Sequence, residues 1–455
     1  MLPLWTTLAG VVLSLVLTFA WARNLGGAGA AGSPAGDGPG LGRRRFLIGA
    51  GAAVGGLAGT LASTLARNTG WFTRTGAIFA GQAPKKADTP RAEWEGSRIR
   101  SYRRLGRTGV EVSDISLGSS RLGTHGGEAV ARLAVERGVT YIDTAPDYVD
   151  AGSELVIGEA LKGQRDKVFL ATKFCRPDGH LAKGSSVADY VAAVEDSLGR
   201  LQTDHVDLVH IHACDDVERL MDPAAHEAFD RLKAQGKVRF LGVSTHTPNL
   251  VEVANTAIDS DRFDVMMLAY HHGSWPRLQE VIDRAAAKDV GIVAMKTLKG
   301  ARHQQLLESR AEADSYTQAA FKWVLSNPGV SCLVISMNEP VQVDEFLHAS
   351  GRPFEPADVA VLQKYDALVA GVHCFQHCGQ CLDTCPENLR IDDVLRYRMY
   401  FEDYGDEKEA MRLYAKLPVQ ADVCTGCSAP CAGACPHGIA IPERTQEAHG
   451  LLTLG

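Results

Sequence analysis

The apolar positions of this chain change character along its length. From Ser101 onward, short apolar runs of strand length alternate with stretches of helical periodicity. The runs are Val112–Leu117, Thr140–Thr144, Val168–Thr172, Val206–His212, Val238–Ser244, Val265–Tyr270, Ile292–Met295 and Cys332–Ile335. Between them, Ser186–Leu201, Ala225–Ala234 and Arg277–Lys288 read as helices. Continuous apolar strands separated by helices predict a parallel sheet, because such strands are covered on both faces. Eight units in roughly 250 residues is the size of a closed (β/α)8 barrel. An open doubly wound sheet would require a glycine-rich phosphate loop after its first strand. Gly118-Ser119-Ser120-Arg121-Leu122-Gly123 is a poor match, so a barrel over residues 101–350 is predicted.

The pattern before the barrel is different. Leu2–Ala22 carries no charge; at ~1.5 Å per residue it would cross a hydrocarbon layer of roughly 30 Å. A buried core helix is the alternative. A second, weakly apolar stretch rich in Gly and Ala, Phe46–Ala66, follows three arginines. Gly42-Arg43-Arg44-Arg45-Phe46-Leu47 resembles the twin-arginine export signal, which sends folded proteins across a membrane; the plainer reading is an arginine stop before a membrane helix. Arg23 and Arg43–Arg45 put the loop between the segments in the cytoplasm, and everything after Ala66 on the periplasmic, extracytoplasmic side. No small-x-small cleavage site stands out, so retention as a membrane anchor is expected. Residues 1–66 are thus a membrane segment plus signal, and 67–100 a linker. Charge follows the same division: the net charge is −7, yet the first hundred residues are basic and the remainder acidic. An acidic main body argues against a nucleic-acid partner.

Barrel chemistry collects where strands end and the following loops begin. Asp143 and Tyr148 follow the second strand, Lys173 closes the third and His212 the fourth. Such a set can reduce a carbonyl. A Tyr hydroxyl gives a proton as hydride arrives, and a Lys ammonium lowers the Tyr pKa. An Asp holds the Lys charged, and a His orients the substrate oxygen. His210 has the inward parity of His212 one layer deeper and reads as a hydrogen-bonded core histidine. His271-His272 lines the substrate mouth or forms a surface loop. Cys175, Cys214 and Cys332 read as buried thiols.

Several stretches carry a resemblance. Arg104-Leu105-Gly106-Arg107-Thr108-Gly109, Asp143-Thr144-Ala145 with Tyr148, and Ser153-Glu154 with Ile157-Gly158-Glu159-Ala160-Leu161 are similar to the aldo/keto reductase family. So are Ala171-Thr172-Lys173, Val206–His212 and Gly236–Ser244. The resemblance implies a TIM barrel with Asp143, Tyr148, Lys173 and His212 as a catalytic tetrad. It also implies NADP or NAD as cofactor, held at Ser244, Thr245, Met267, Met295, Gln342 and Glu345. The sequence departs from the family's pattern at Thr245, where Asn is frequent, at Met267, where Gln is usual, and at Met295, where an aromatic is common. The segment after the last strand, Glu339–Glu345, has no basic residue for a 2′-phosphate.

The tail carries eight of the 11 cysteines. The first run is Cys374, Cys378, Cys381 and Cys385-Pro386; the second is Cys424, Cys427, Cys431 and Cys435-Pro436. Three close cysteines followed by Cys-Pro is the spacing of [4Fe–4S] ligation in bacterial ferredoxins, where the Cys before Pro serves the other cluster. Two [4Fe–4S] clusters are expected: Cys374, Cys378, Cys381 with Cys435, and Cys424, Cys427, Cys431 with Cys385. Structural zinc and four disulfides are the alternatives. Residues 351–455 resemble the ferredoxin-type domain of an aldo/keto reductase subgroup, with Ile391–Leu417 as a helical insert. The whole reads as a membrane-tethered oxidoreductase that passes hydride between a nicotinamide cofactor and a small carbonyl or alcohol substrate, with clusters for electron relay, a redox partner protein, or structure. The alternative is an iron–sulfur electron-transfer or redox-sensing protein that uses the barrel as scaffold.

Overall fold

The computed structural model describes residues 91–453 except 124–125, 182, 248, 275–276, 299–314, 376–377 and 403–406. The expected membrane segment, export signal and most of the linker lie outside the described residues. Among the described residues no helix is long and apolar enough to cross a membrane.

The eight predicted runs form eight parallel strands: β1 Ile115–Gly118, β2 Tyr141–Asp143, β3 Phe169–Arg176, β4 Val206–Ile211, β5 Val238–Thr245, β6 Val265–Ala269, β7 Gly291–Met295 and β8 Cys332–Ser336. Each pairs with the next, and β8 returns to β1 through Leu333↔Ile115 and Ser336↔Gly118, so the sheet closes on itself. The first predicted run, Val112–Leu117, is broken in the structure. Glu111–Ser113 turns back on Tyr102–Arg104 as an antiparallel hairpin, and only Ile115–Gly118 joins the barrel. This hairpin contributes Leu105 and Val112, both wholly buried, to the apolar cluster inside the barrel.

Helices surround the sheet: α1 Gly127–Glu136, α2 Gly152–Ala160, α3 Val187–Leu201, α4 Pro223–Ala234, α5 Leu250–Asp259, α6 Arg277–Ala287, α7 Tyr316–Leu325 and α8 Pro340–Leu347. Local chemistry sets their starts. Ser186 and Asp189 form a reciprocal capping box at α3, and Asp222 caps α4 ahead of a proline. Their apolar faces meet the outward strand residues in one continuous core.

Inside the barrel, side chains stack in layers. Tyr141, Phe169 and Phe240 stack in the lower layer, with centroid separations of 5.5 and 6.0 Å. Above them Lys173, His210 and Gly242 stand side by side in register. His210 is fully buried, as expected; its ring makes no hydrogen bond of ideal geometry, and its polar neighbour is the backbone at Val243. Burial pushes its pKa well below the ordinary imidazole range. Its place depends on Gly242, where a Cβ would lie 2.5 Å from His210 Nδ1.

Beyond the barrel, α9 Pro356–Val369 packs on α7, with a buried Lys322–Asp358 ion pair and Tyr316 against Tyr365 at 4.4 Å. The cysteine-rich tail has its own apolar core, built on α10 Ile391–Glu402, α11 Glu407–Ala415 and α12 Ile441–Leu452. Tyr400 of α10 reaches the barrel, accepting a 2.8 Å hydrogen bond from Lys296 just past β7. Gly242→Ala should destabilise the fold by about 1–3 kcal/mol through overpacking against His210. Chemical denaturation measures this, and an unchanged midpoint would contradict the packing.

Candidate active site

The residues predicted at strand ends converge at the C-terminal mouth of the barrel. Lys173 and Asp143 are neighbours across β3 and β2, and their side chains are only 1% and 4% exposed. The Lys173 ammonium donates to both carboxylate oxygens of Asp143, at 2.8 and 2.7 Å, and to the Thr144 carbonyl at 2.8 Å. An ammonium has three donors, so all are committed. Burial raises the Asp143 pKa, and the lysine opposes that shift. Lys173 Nζ lies 4.8 Å from the centroid of the Tyr148 ring. Tyr148 in turn meets His212 edge to face at 5.8 Å.

The expected lowering of the Tyr148 pKa is not what this arrangement produces. Burial, then the charges of Asp143 and Asp147, push the phenol well above its ordinary value. The lysine's charge is already answered by Asp143, so little of it reaches the hydroxyl. Tyr148 is therefore held protonated, the state a proton donor needs. Burial likewise holds His212 well below the ordinary imidazole range, with the charges of His180 and Lys173 adding to the effect. A neutral imidazole keeps one donor nitrogen for an oxygen atom.

Comparison with known proteins identifies the family. The description "Aldo/keto reductase family" matches residues 114–312. The uncharacterized oxidoreductase YrpG of Bacillus subtilis is 30% identical over 296 residues, which span 54% of this chain and 90% of that relative. The chain belongs to the aldo/keto reductase family. It is an oxidoreductase. Methylglyoxal reductase YeaE of Escherichia coli is 32% identical over 216 residues, 45% of this chain and 72% of the relative. A solved aldo-keto reductase from Bacillus halodurans, in its holo form, covers 58% of this chain and 95% of that one, at 25% identity and a TM-score of 0.49.

Other family positions fall in three groups. Ser244 and Thr245 close β5 at the mouth, and Ser244 Oγ accepts the Ala213 amide at 2.9 Å. Met267 is buried in the barrel interior, and Met295 packs half-buried against it. Gln342 is spent locally: its side-chain oxygen accepts the amides of Asn338 and Glu339 at the start of α8. Glu345 is buried on the same helix. Neither histidine of the pair after β6 forms an exposed loop. His271 and His272 are both buried, and His272 faces Asp366 of α9 at 3.2 Å, among Tyr316, Trp323 and Tyr365. The reason is α9, which covers that side of the barrel. Cys175, Cys214 and Cys332 are buried thiols, as read.

In the tail, the structure brings together the two sets of four that span the runs. Cys381 senses Cys378 and Cys435, and Cys374 senses Cys381 and Cys378. Cys424 and Cys431 both sense Cys385 and Cys427. Burial raises the thiols of Cys374, Cys381, Cys424 and Cys431, that of Cys381 to about 11. None of the eleven cysteines is in a disulfide. Cys385, Cys424, Cys427 and Cys431 line one small recess.

Sequence reasoning passed over Asp147 and His180, and took Cys175 as a buried thiol only. All three reach the mouth beside His212. The signal was the five-residue interval from Cys175 to His180, which a tight hairpin closes. Lys173→Met should cost about 3–5 kcal/mol, because Asp143 would be left buried without its partner. Urea unfolding checks this, and a loss under ~1 kcal/mol would show that the pair relaxes into solvent.

Proposed function

We propose that the barrel reduces a small polar carbonyl, with Tyr148 as proton donor, Lys173 and Asp143 as its electrostatic support, and His212 as the group that orients the substrate oxygen. The observation that carries this reading is the meeting of these four side chains at one mouth. Aldo/keto reductases use NADP(H), which supplies the hydride when bound. Ser244 and Thr245 line the end where it would sit. Relatives named methylglyoxal reductase and L-galactose dehydrogenase act, by those names, on small oxygenated molecules. The same substrate class fits a mouth lined by Asp147, Tyr148 and two histidines.

The tail's two sets of four cysteines support a pair of [4Fe–4S] clusters, which supply single-electron transfer or hold the tail's fold. The twin-arginine resemblance supports export of the folded, cluster-loaded protein and its retention at the cytoplasmic membrane, with the barrel on the outer side.

A second reading, a redox module using the barrel as scaffold, draws on Met267 and Met295. They put apolar side chains where the family's usual nicotinamide contacts would be. Cofactor titration of anoxically purified protein separates the two. Binding of NADPH with turnover of methylglyoxal supports the reductase; iron without binding of either nicotinamide supports the scaffold. Iron and acid-labile sulfide should each reach about eight per chain.

Tyr148→Phe should lower turnover by about 10²–10⁴ while leaving NADPH binding intact. Because the Tyr148 pKa is raised, carbonyl reduction should persist into alkaline solution. Oxidation of the alcohol, which needs the phenolate, should climb with pH over the same range. pH–rate profiles in both directions check the sign.

A further inference from the structure

Four side chains meet beside Tyr148 that carbonyl reduction does not require as a set. Asp147, Cys175, His180 and His212 each offer one ligand atom, and these atoms lie within 4.8 Å of one another. Three separate pieces of chain deliver them. Asp147 sits in the loop after β2, and His212 immediately follows β4. Cys175 near the end of β3 pairs directly across from His180 in a short antiparallel hairpin, with Arg176 opposite Gly179. The rings of His180 and His212 stand 4.4 Å apart.

The spacing is that of co-ligands. Asp147 Oδ2 is 3.5 Å from His180 Nε2 and 3.5 Å from His212 Nδ1. Those separations are long for hydrogen bonds. They are close to the ~3.3 Å between two ligands on one tetrahedral ion, from bonds of about 2.0–2.1 Å. His212 Nδ1 is buried and has no hydrogen bond, and Asp147 Oδ1, buried beside it, has none of ordinary geometry, the Cys175 thiol being the neighbour of that carboxylate. Buried polar atoms are ordinarily satisfied, so an unanswered nitrogen in such a cluster points to a missing partner. The charges also balance: one carboxylate, one thiolate and two neutral imidazoles neutralise a divalent cation. His180, with its side chain 38% exposed, leaves a way in from solvent.

We propose that Asp147, Cys175, His180 and His212 bind one zinc-class divalent cation at the barrel mouth, and that the cation holds His212 by Nδ1. Nitrogen, sulfur and oxygen donors in a closed set of four are the ligands zinc takes. On binding, Cys175 exchanges its contacts with the Gly179 and Arg176 carbonyls for a metal–sulfur bond and releases its proton to water. With metal on Nδ1, the proton of His212 must stand on Nε2. That nitrogen then donates to a substrate oxygen. The protein alone does not set this tautomer, because Asp147 is too far to bond Nδ1 well. The role assigned to Nε2 rests on the reductase reading; the binding site does not.

The test is Co²⁺ titration of the full chain, purified anoxically, beside Cys175→Ser and His180→Ala. The tail cysteines are common to all three proteins, so the difference between them is what is read. The wild type should take up about one equivalent more than either variant. Its thiolate-to-cobalt absorption from this site should be missing in Cys175→Ser and fade on adding Zn²⁺. Methylglyoxal reduction by wild type should fall roughly tenfold in kcat/KM after chelation and return with Zn²⁺, while His180→Ala should not respond. Equal cobalt uptake by all three proteins overturns the site. Extra uptake with zinc inhibiting turnover overturns the role given to His212. Extra uptake in a protein with no turnover at all leaves the site standing and removes the reductase reading instead.

Discussion

Closure of eight parallel strands is the constraint on which the rest depends. Once β8 pairs with β1, the sheet has no edge, and every second side chain points into a closed space. That space must be filled. Aromatic rings fill its lower layer, and the hairpin residues Leu105 and Val112 join the same cluster. Higher up, the inward positions become polar, because they approach the mouth. Lys173 and Asp143 stand at that transition, dry enough to be strongly coupled and near enough to the opening to act on a substrate.

The coupling has a consequence for the chemistry. A lysine whose three protons are all taken cannot also donate to Tyr148. Its contribution is to neutralise Asp143, whose charge alone would raise the Tyr148 pKa further. The phenol therefore stays protonated, the state in which it can donate. Such a buried pair is weak evidence for stability; its place beside the tyrosine explains its presence better.

The tail adds a second organising principle. Its core combines apolar helix faces with six of its eight cysteines, so whatever the sulfurs hold would also determine how well the tail packs. Lys296 and Tyr400 tie it to the end of β7, close to the barrel mouth. α9, by contrast, belongs to the barrel's packing through Lys322–Asp358 and the tyrosine pair, although it follows the last strand in sequence.

Much of this was legible in the residues alone. Eight apolar runs predicted eight strands, because strands covered on both faces must be continuously apolar. The ends of those runs singled out Asp143, Tyr148, Lys173 and His212, and the family resemblance implied their joint role. The two cysteine runs also announced their own association by spacing. Tertiary structure decided what depends on neighbours distant in the chain. Only the closed barrel shows that His210 occupies the space left by Gly242, that His272 turns to Asp366 under α9, and that Tyr148 is raised rather than lowered. The meeting of Asp147, Cys175, His180 and His212 was equally invisible. Periodicity reports which face a residue takes on its own element, whereas a pKa, an orphaned nitrogen or a ligand set is fixed by what other elements bring to that face.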